Sequence, residues 1–104
     1  MPTRVVIPKS FELGANKWMV KFILDLMHDG DACNGLTLPE DLLIQLDKRE
    51  WVDNDQLTHV FMHELVHAIL GTMGRDDLYE DEAFVDLFAH LLCQAFKTSK
   101  GILK

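Results

Sequence analysis

Cysteine and long apolar runs are scarce in this sequence of 104 residues. Its two cysteines, Cys33 and Cys93, are isolated and form no Cys-x-x-Cys pair, which is typical of reduced thiols in an intracellular protein. No segment approaches the length of a membrane span, and residues 1–17 contain no apolar stretch long enough for a signal peptide. These absences predict a soluble, cytoplasmic protein without a membrane partner.

Positive charge is scarce as well. Ten Lys and Arg residues stand against 17 Asp and Glu residues, which gives a formal net charge of -7, and no cluster of basic residues is present. A protein that holds nucleic acid through phosphate contacts needs such a cluster. The charge balance therefore argues against a nucleic-acid partner.

The length and the 48% share of hydrophobic residues predict a single domain over residues 1–104, with a modest core. Residues 1–50 are predicted to be rich in strands, beginning with the β-branched run Val5-Val6-Ile7. Two runs, 11–13 and 17–24, flank the turn Gly14-Ala15-Asn16 and predict a hairpin. In the second strand of this hairpin, the residues expected on one face are Trp18, Val20 and Phe22.

Two further strands are predicted before the middle of the chain. They are residues 36–38 and 42–46, joined by a turn at Pro39-Glu40-Asp41. Leu42-Leu43-Ile44 is equally compatible with the start of a short helix. This alternative stays open on the sequence alone.

The second half of the chain has helical periodicity. The apolar pattern predicts a helix over residues 53–71, with N-cap candidates in Asp53-Asn54-Asp55 and Gly71 as a C-cap. Met62, Leu65 and Ile69 are expected on one side of this helix. The opposite side can therefore face a cleft.

That opposite side carries His63-Glu64-x-x-His67, a His-Glu-x-x-His motif. Residues four apart on a helix lie on the same face, so both imidazoles can bind one Zn²⁺. The glutamate beside the first histidine then leans toward a water molecule on the metal. The motif predicts a zinc site with Glu64 as the catalytic group.

A second helix is predicted over residues 80–97, followed by a loosely held tail at 98–104. It carries a polar stripe at steps of four residues, namely Glu82, Asp86, His90 and Gln94. The stripe either faces water or completes the zinc site. In the second case Glu82 is the third ligand, which catalytic zinc requires, and Asp86 orients a zinc-binding histidine.

His63-Glu64-x-x-His67 followed by Glu82-x-x-x-Asp86 resembles the gluzincin pattern of the zincin metallopeptidases, the group that includes thermolysin. The whole chain is similar to small zincin-like proteins of phages, prophages and some archaea, such as the minigluzincins. The motifs cover residues 55–97, and the strand-rich half matches only in layout. The resemblance implies an α+β fold with a minimal zincin-like core: a small antiparallel or mixed N-terminal sheet, the motif helix and a C-terminal helix.

The resemblance also implies roles for individual residues. His63, His67 and Glu82 are the implied zinc ligands, Glu64 is the implied general base, and Asp86 is the implied partner of a ligand. Only 14 residues separate His67 from Glu82, a shorter spacer than in thermolysin, so Glu80 or Asp81 remain alternative ligands. Leu70 and Met73 stand where the metzincin branch needs glycine and histidine, which excludes that branch.

Stabilisation of an oxyanion is the least determined role. Tyr79, the one tyrosine of the chain, lies three residues before Glu82 and is a candidate, although a tyrosine at this place is also a common packing residue. His28 and His59 are further options. His59 is otherwise expected to be an exposed histidine of the first helical turn.

The function implied by the resemblance is hydrolysis of peptide bonds by a zinc-bound water molecule, with Glu64 as general base. The partner is a peptide or protein substrate, expected to pair with an exposed strand edge within residues 36–46. One alternative is a zinc-binding structural or interaction module of the zincin fold with little peptidase activity. Another is a helical interaction module without metal. The substrate and the oligomeric state stay open.

Overall fold

The computed structural model describes residues 6–51 and 54–99. It is an α+β domain with one mixed sheet of four strands, a two-stranded ribbon and helices that follow the strands. The strands are β1 (Ser10–Leu13), β2 (Asn16–Leu24), β3 (Met27–His28), β4 (Asp31–Ala32), β5 (Gly35–Leu38) and β6 (Leu43–Lys48). The helices are α1 (Asn54–Thr72), α2 (Asp76–Tyr79) and α3 (Glu82–Thr98), and a 3-10 turn spans Pro39–Asp41.

The four-stranded sheet has the order β1-β2-β6-β5. The predicted hairpin is confirmed, since β1 pairs with β2 in antiparallel register from Ser10↔Met19 to Leu13↔Asn16. β6 then pairs in parallel with β2 and antiparallel with β5. The sheet is therefore mixed, and in the described part of the chain β5 is one of its two edge strands.

The strands predicted around the proline turn are also present. The alternative of a short helix at Leu42-Leu43-Ile44 is wrong: Leu42 takes a left-handed φ of 51° directly after the 3-10 turn, and β6 starts at the next residue. The predicted strand at Val5-Val6-Ile7 is not found, because Val6 and Ile7 are outside any strand. Val5 lies outside the described residues.

One face of the sheet packs against α1, and α3 packs on α1 to complete the core. Of the three residues expected on one face of β2, Trp18 and Val20 are buried, whereas Phe22 is 44% exposed, so the core covers only part of this face. The buried apolar residues of this core cluster are Trp18, Val20, Ile44 and Leu46 from the sheet, Phe61, Met62, Val66, Ala68 and Leu70 from α1, and Val85, Ala89 and Cys93 from α3.

The helix that carries the motif differs slightly from its prediction. Gly71 is not a C-cap, because α1 continues to Thr72 and the left-handed φ of 74° belongs to Gly74. Asp53 lies outside the described residues. The predicted faces hold in part: Met62 is buried, while Leu65 and Ile69 are half-buried.

The second long helix begins where a capping carboxylate stands. The Asp81 side chain accepts a hydrogen bond of 3.0 Å from the backbone N–H of Phe84, which fixes the start of α3. The short helix α2 lies in a connection for which no helix was predicted. α3 ends at Thr98, and residues 100–104 of the predicted tail lie outside the described residues. In the parts of the chain that are described, no helix is both long and apolar enough to cross a membrane.

Candidate metal centre

The two long helices bring their polar stripes face to face. α1 presents His59, His63 and His67 at steps of four residues, and α3 presents Glu82 and Asp86 at the same step. The adjoining side of α3 is anchored in the core by Val85, Ala89 and Cys93. Because each helix is fixed by its buried side, the two polar stripes meet at the open end of the domain.

Glu82 lies between the two histidines of the motif. Its Oε2 is 3.1 Å from Nε2 of His63, and its Oε1 is 3.1 Å from Nε2 of His67. Ligand atoms from the three residues all lie within 4.8 Å of one another. Two imidazoles and one carboxylate at this spacing form a group that could hold a metal ion.

The neighbouring carboxylates are placed differently. Asp81 caps α3 through its contact with the N–H of Phe84, so its carboxylate is engaged at the helix end. Glu80 ends the short helix α2, and its side chain is exposed. In the described residues, the group of potential ligands around His63 and His67 includes Glu82 and neither of these two alternatives.

The His67 ring is held by its surroundings. It packs edge to face against the ring of Tyr79, with centroids 4.8 Å apart, and against the ring of His63 at 4.9 Å. Its Nδ1 atom is buried and has no hydrogen-bond partner among the described residues. The Nε2 atom is the nitrogen that faces Glu82, so it is the one available to a metal.

Asp86 lies behind His63, as its predicted role requires. Its Oδ1 atom is 3.4 Å from Nδ1 of His63 and 3.1 Å from Nε2 of His59. The hydrogen bond with His59 is the main reason why the pKa of Asp86 is lower than usual, and the contact with His63 adds to it. With Nδ1 of His63 turned to Asp86, its Nε2 is left to the metal site.

Glu64 is buried beside the cluster. Oγ1 of Thr37 lies 2.8 Å from Oε1 of Glu64 and 3.0 Å from its main-chain oxygen. Burial raises the pKa of Glu64 above its usual value, while the hydrogen bond from Thr37 and the nearby histidines act in the opposite direction. A buried carboxylate next to two potential metal ligands is well suited to accept and return a proton.

Sequence reasoning missed two residues that support Glu64. One is Thr37. The other is Gly35, where an added Cβ would lie 2.9 Å from Cγ1 of Val60 and 3.0 Å from Cγ of Glu64. Only glycine therefore lets β5 approach α1 this closely. In the sequence, the pair Asn34-Gly35 is typical of a turn and gives no sign of close contact between backbone and helix.

A cleft opens along β5 and the metal site. A cavity of about 290 Å³ is lined by Thr37, Glu64, His67, Tyr79 and Glu82, and also by His28 from the β3–β4 ribbon. The structure thus brings two of the three candidates for oxyanion stabilisation, Tyr79 and His28, to the same cavity. Burial raises the pKa of Tyr79, followed by the charges of Glu64 and Glu82, which keeps its hydroxyl protonated.

The third candidate for that role, His59, lines a neighbouring cavity of about 270 Å³. This cavity is also lined by His63, Glu64 and Asp86, so it adjoins the candidate metal site. Comparisons of the chain with protein-family models, with curated proteins and with solved structures found no match.

Proposed function

We propose that this protein is a zinc-dependent metallopeptidase of the gluzincin type. His63, His67 and Glu82 hold the metal in this proposal, and Glu64 is the general base. The observation that carries it is the convergence of two imidazole nitrogens and one carboxylate within 4.8 Å, beside a buried glutamate. Two histidines and a glutamate are a donor set used by catalytic zinc in metallopeptidases.

The chemistry divides between the metal and the protein. Zinc at this position would supply a Lewis acid, which polarises a carbonyl group and lowers the pKa of water. Glu64 accepts a proton from the attacking water and returns it to the leaving amine. Thr37 holds Oε1 of the carboxylate, which leaves Oε2 to exchange the proton. The pKa of Glu64, raised by burial, brings its proton affinity closer to that needed near neutral pH.

The edge strand supports a peptide as the substrate. The backbone N–H of Asp47 donates to the carbonyl of Asn34 at 2.9 Å, which sets the phase of the antiparallel β5–β6 ladder. Since hydrogen-bonded and non-hydrogen-bonded pairs alternate, Gly35 and Thr37 direct their backbone N–H and C=O groups away from β6. A peptide added as a further strand would pair with these groups and run past Glu64.

Tyr79 is the proposed donor to the developing oxyanion. Its ring contacts His67 and its side chain lines the same cavity as Glu64 and Glu82. A phenol whose pKa is raised remains a hydrogen-bond donor throughout the range in which the peptidase would act. His28 lines the cavity too, and is the second candidate for this role.

A zinc-binding interaction module with little turnover is the second candidate function. The observation that favours it is an apolar outer surface on α3, where Leu87 and Leu91 are more than half exposed and Phe88 nearly so. Exposed apolar patches of this kind are common at protein–protein contacts. The metal site would then stabilise the fold rather than perform hydrolysis.

One experiment separates the two functions. Wild type and Glu64→Gln are loaded with zinc, and zinc content and cleavage of a mixture of unstructured peptides are measured by mass spectrometry. The peptidase proposal expects stoichiometric zinc in both proteins and cleavage only by wild type. Zinc in both without cleavage by either would favour the interaction module, and absence of zinc from wild type would overturn both.

A further inference from the structure

A second contact continues the metal site one helical turn toward the start of α1. His59 lies four residues before His63 on the same face of the helix. Its Nε2 atom is 3.1 Å from Oδ1 of Asp86, and its side chain is only 30% exposed. His59 is therefore not the solvated first-turn histidine that the sequence suggested.

The same carboxylate oxygen contacts both histidines. Oδ1 of Asp86 is 3.1 Å from His59 and 3.4 Å from Nδ1 of His63, whose other nitrogen faces Glu82. A carboxylate oxygen accepts two N–H donors readily, so these contacts form a continuous chain from His59 through Asp86 to a proposed ligand.

The contact with His59 restrains the Asp86 side chain. Its side chain is 63% exposed, and among the described residues its ion pairs are with His59 and His63 alone. An exposed carboxylate on a helix surface samples several rotamers, and most of them would turn it away from His63. The His59 ring is restrained in its turn by edge-to-face packing against the ring of His90, with centroids 5.6 Å apart.

We propose that His59 is a positioning residue of the metal centre: it holds Asp86 in the rotamer that accepts the Nδ1–H of His63, and so orients that imidazole toward the metal. The inference rests on the proposed metal centre and not on hydrolysis. Groups that hold a metal ligand from behind change metal affinity by about 10–100-fold when they are removed. A residue that acts through such a group should have a smaller effect, about 3–10-fold.

Zinc affinity, measured by competition with a chelator, tests the proposal without a peptide substrate. His59→Leu removes the N–H and should weaken zinc binding by about 3–10-fold, whereas Asp86→Ala should weaken it by about 10–100-fold. His59→Gln keeps an N–H donor at a similar distance from the backbone and should restore most of the affinity. His90→Leu is the matched control, since it removes a neighbouring imidazole but leaves apolar packing on His59.

The double variant His59→Leu/Asp86→Ala gives the decisive comparison. If His59 acts through Asp86, the double variant binds zinc as weakly as Asp86→Ala alone. An equal further loss in the Asp86→Ala background would overturn the proposal, as would unchanged affinity of His59→Leu. A second zinc equivalent that depends on His59 would also overturn it, because His59 would then be a ligand. Failure of wild type to bind zinc would instead refute the metal centre itself.

Discussion

Thr37 on the edge strand β5 is hydrogen-bonded to Glu64 on α1, with 2.8 Å between Oγ1 and Oε1. Both side chains are buried, so their hydrogen bond is stronger than it would be on the exposed surface. The contact connects β5, the strand edge at which a peptide would pair, with Glu64, the proposed general base. A change at Thr37 should therefore alter catalysis without removing a zinc ligand.

Thr37→Val tests this link. The substitution keeps the side-chain shape and deletes the donor, which leaves a buried carboxylate oxygen without its partner at a cost of about 1–3 kcal/mol. Zinc content should stay stoichiometric while cleavage slows. Because the hydrogen bond lowers the pKa of Glu64, its loss raises that pKa, and the acidic limb of the rate profile should move to higher pH. Thr37→Ser, which retains the hydroxyl, should behave like wild type; a profile equally displaced in Thr37→Ser would count against the link.

The zinc-free protein should be stabilised by Glu64→Gln at neutral pH. Burial raises the folded-state pKa of Glu64 above the ordinary value of 4.5, so the folded protein binds its proton more tightly than the unfolded chain does. Stability contributed by this group is therefore greatest at low pH and falls as pH rises from the unfolded toward the folded pKa. Thermal melts should show Glu64→Gln above wild type at neutral pH, with the difference decreasing as the pH approaches 4.5 from above. A constant difference across this range would contradict the assigned shift.

Gly35→Ala should lower the stability of the protein and disturb the packing of Glu64, the proposed base. The added methyl group would lie within 3.0 Å of Val60 and Glu64, and overpacking of this kind typically costs about 1–3 kcal/mol. Gly71→Ala is the control, since its Cβ would meet the Tyr79 ring at an ordinary 3.5 Å. Because Gly71 lies in α1, that variant should be neutral or stabilised by up to about 1 kcal/mol. The free energy of unfolding of both variants can be measured in urea. Equal values for Gly35→Ala and Gly71→Ala would mean that β5 does not pack on α1 as described.

The third ligand is tested by three alanine substitutions. Glu82→Ala should lose zinc at moderate chelator concentrations and melt at a lower temperature than zinc-loaded Glu64→Gln, because metal binding contributes to folding. Glu80→Ala should retain zinc. Asp81→Ala should also retain it, while losing about 1 kcal/mol of stability with its helix cap. If Glu80→Ala or Asp81→Ala loses zinc while Glu82→Ala retains it, Glu82 is not the third ligand.

Local sequence signals predicted the elements better than their contacts. The Gly14-Ala15-Asn16 turn predicted the hairpin of β1 and β2, and the second helix, predicted over residues 80–97, is present as Glu82–Thr98. Such features depend on neighbours in sequence, as does the four-residue step that aligns His63 with His67. The sequence did not show that β2 and β6 pair in parallel, because that pairing joins residues more than twenty positions apart.

The contacts behind the site were missed for a related reason. Thr37 is separated from Glu64, and His59 from Asp86, by 27 residues in each case, and no local pattern marks either pair. Gly35 did not stand out either, because a glycine after asparagine indicates a turn more often than close packing. The resemblance supplied candidate ligands, whereas the support for Glu64 became visible only from the packing of β5 on α1.

X-ray absorption at the zinc edge, recorded on zinc-loaded wild type and on Glu82→Ala, tests the metal centre most directly. The wild-type spectrum should show two imidazole ligands and only nitrogen or oxygen donors at about 2.0–2.2 Å. The Glu82→Ala sample should lose zinc or replace the carboxylate with solvent. Sulfur at about 2.3 Å would implicate Cys33 or Cys93, and that result, or a spectrum without two imidazoles, would contradict the centre formed by His63, His67 and Glu82.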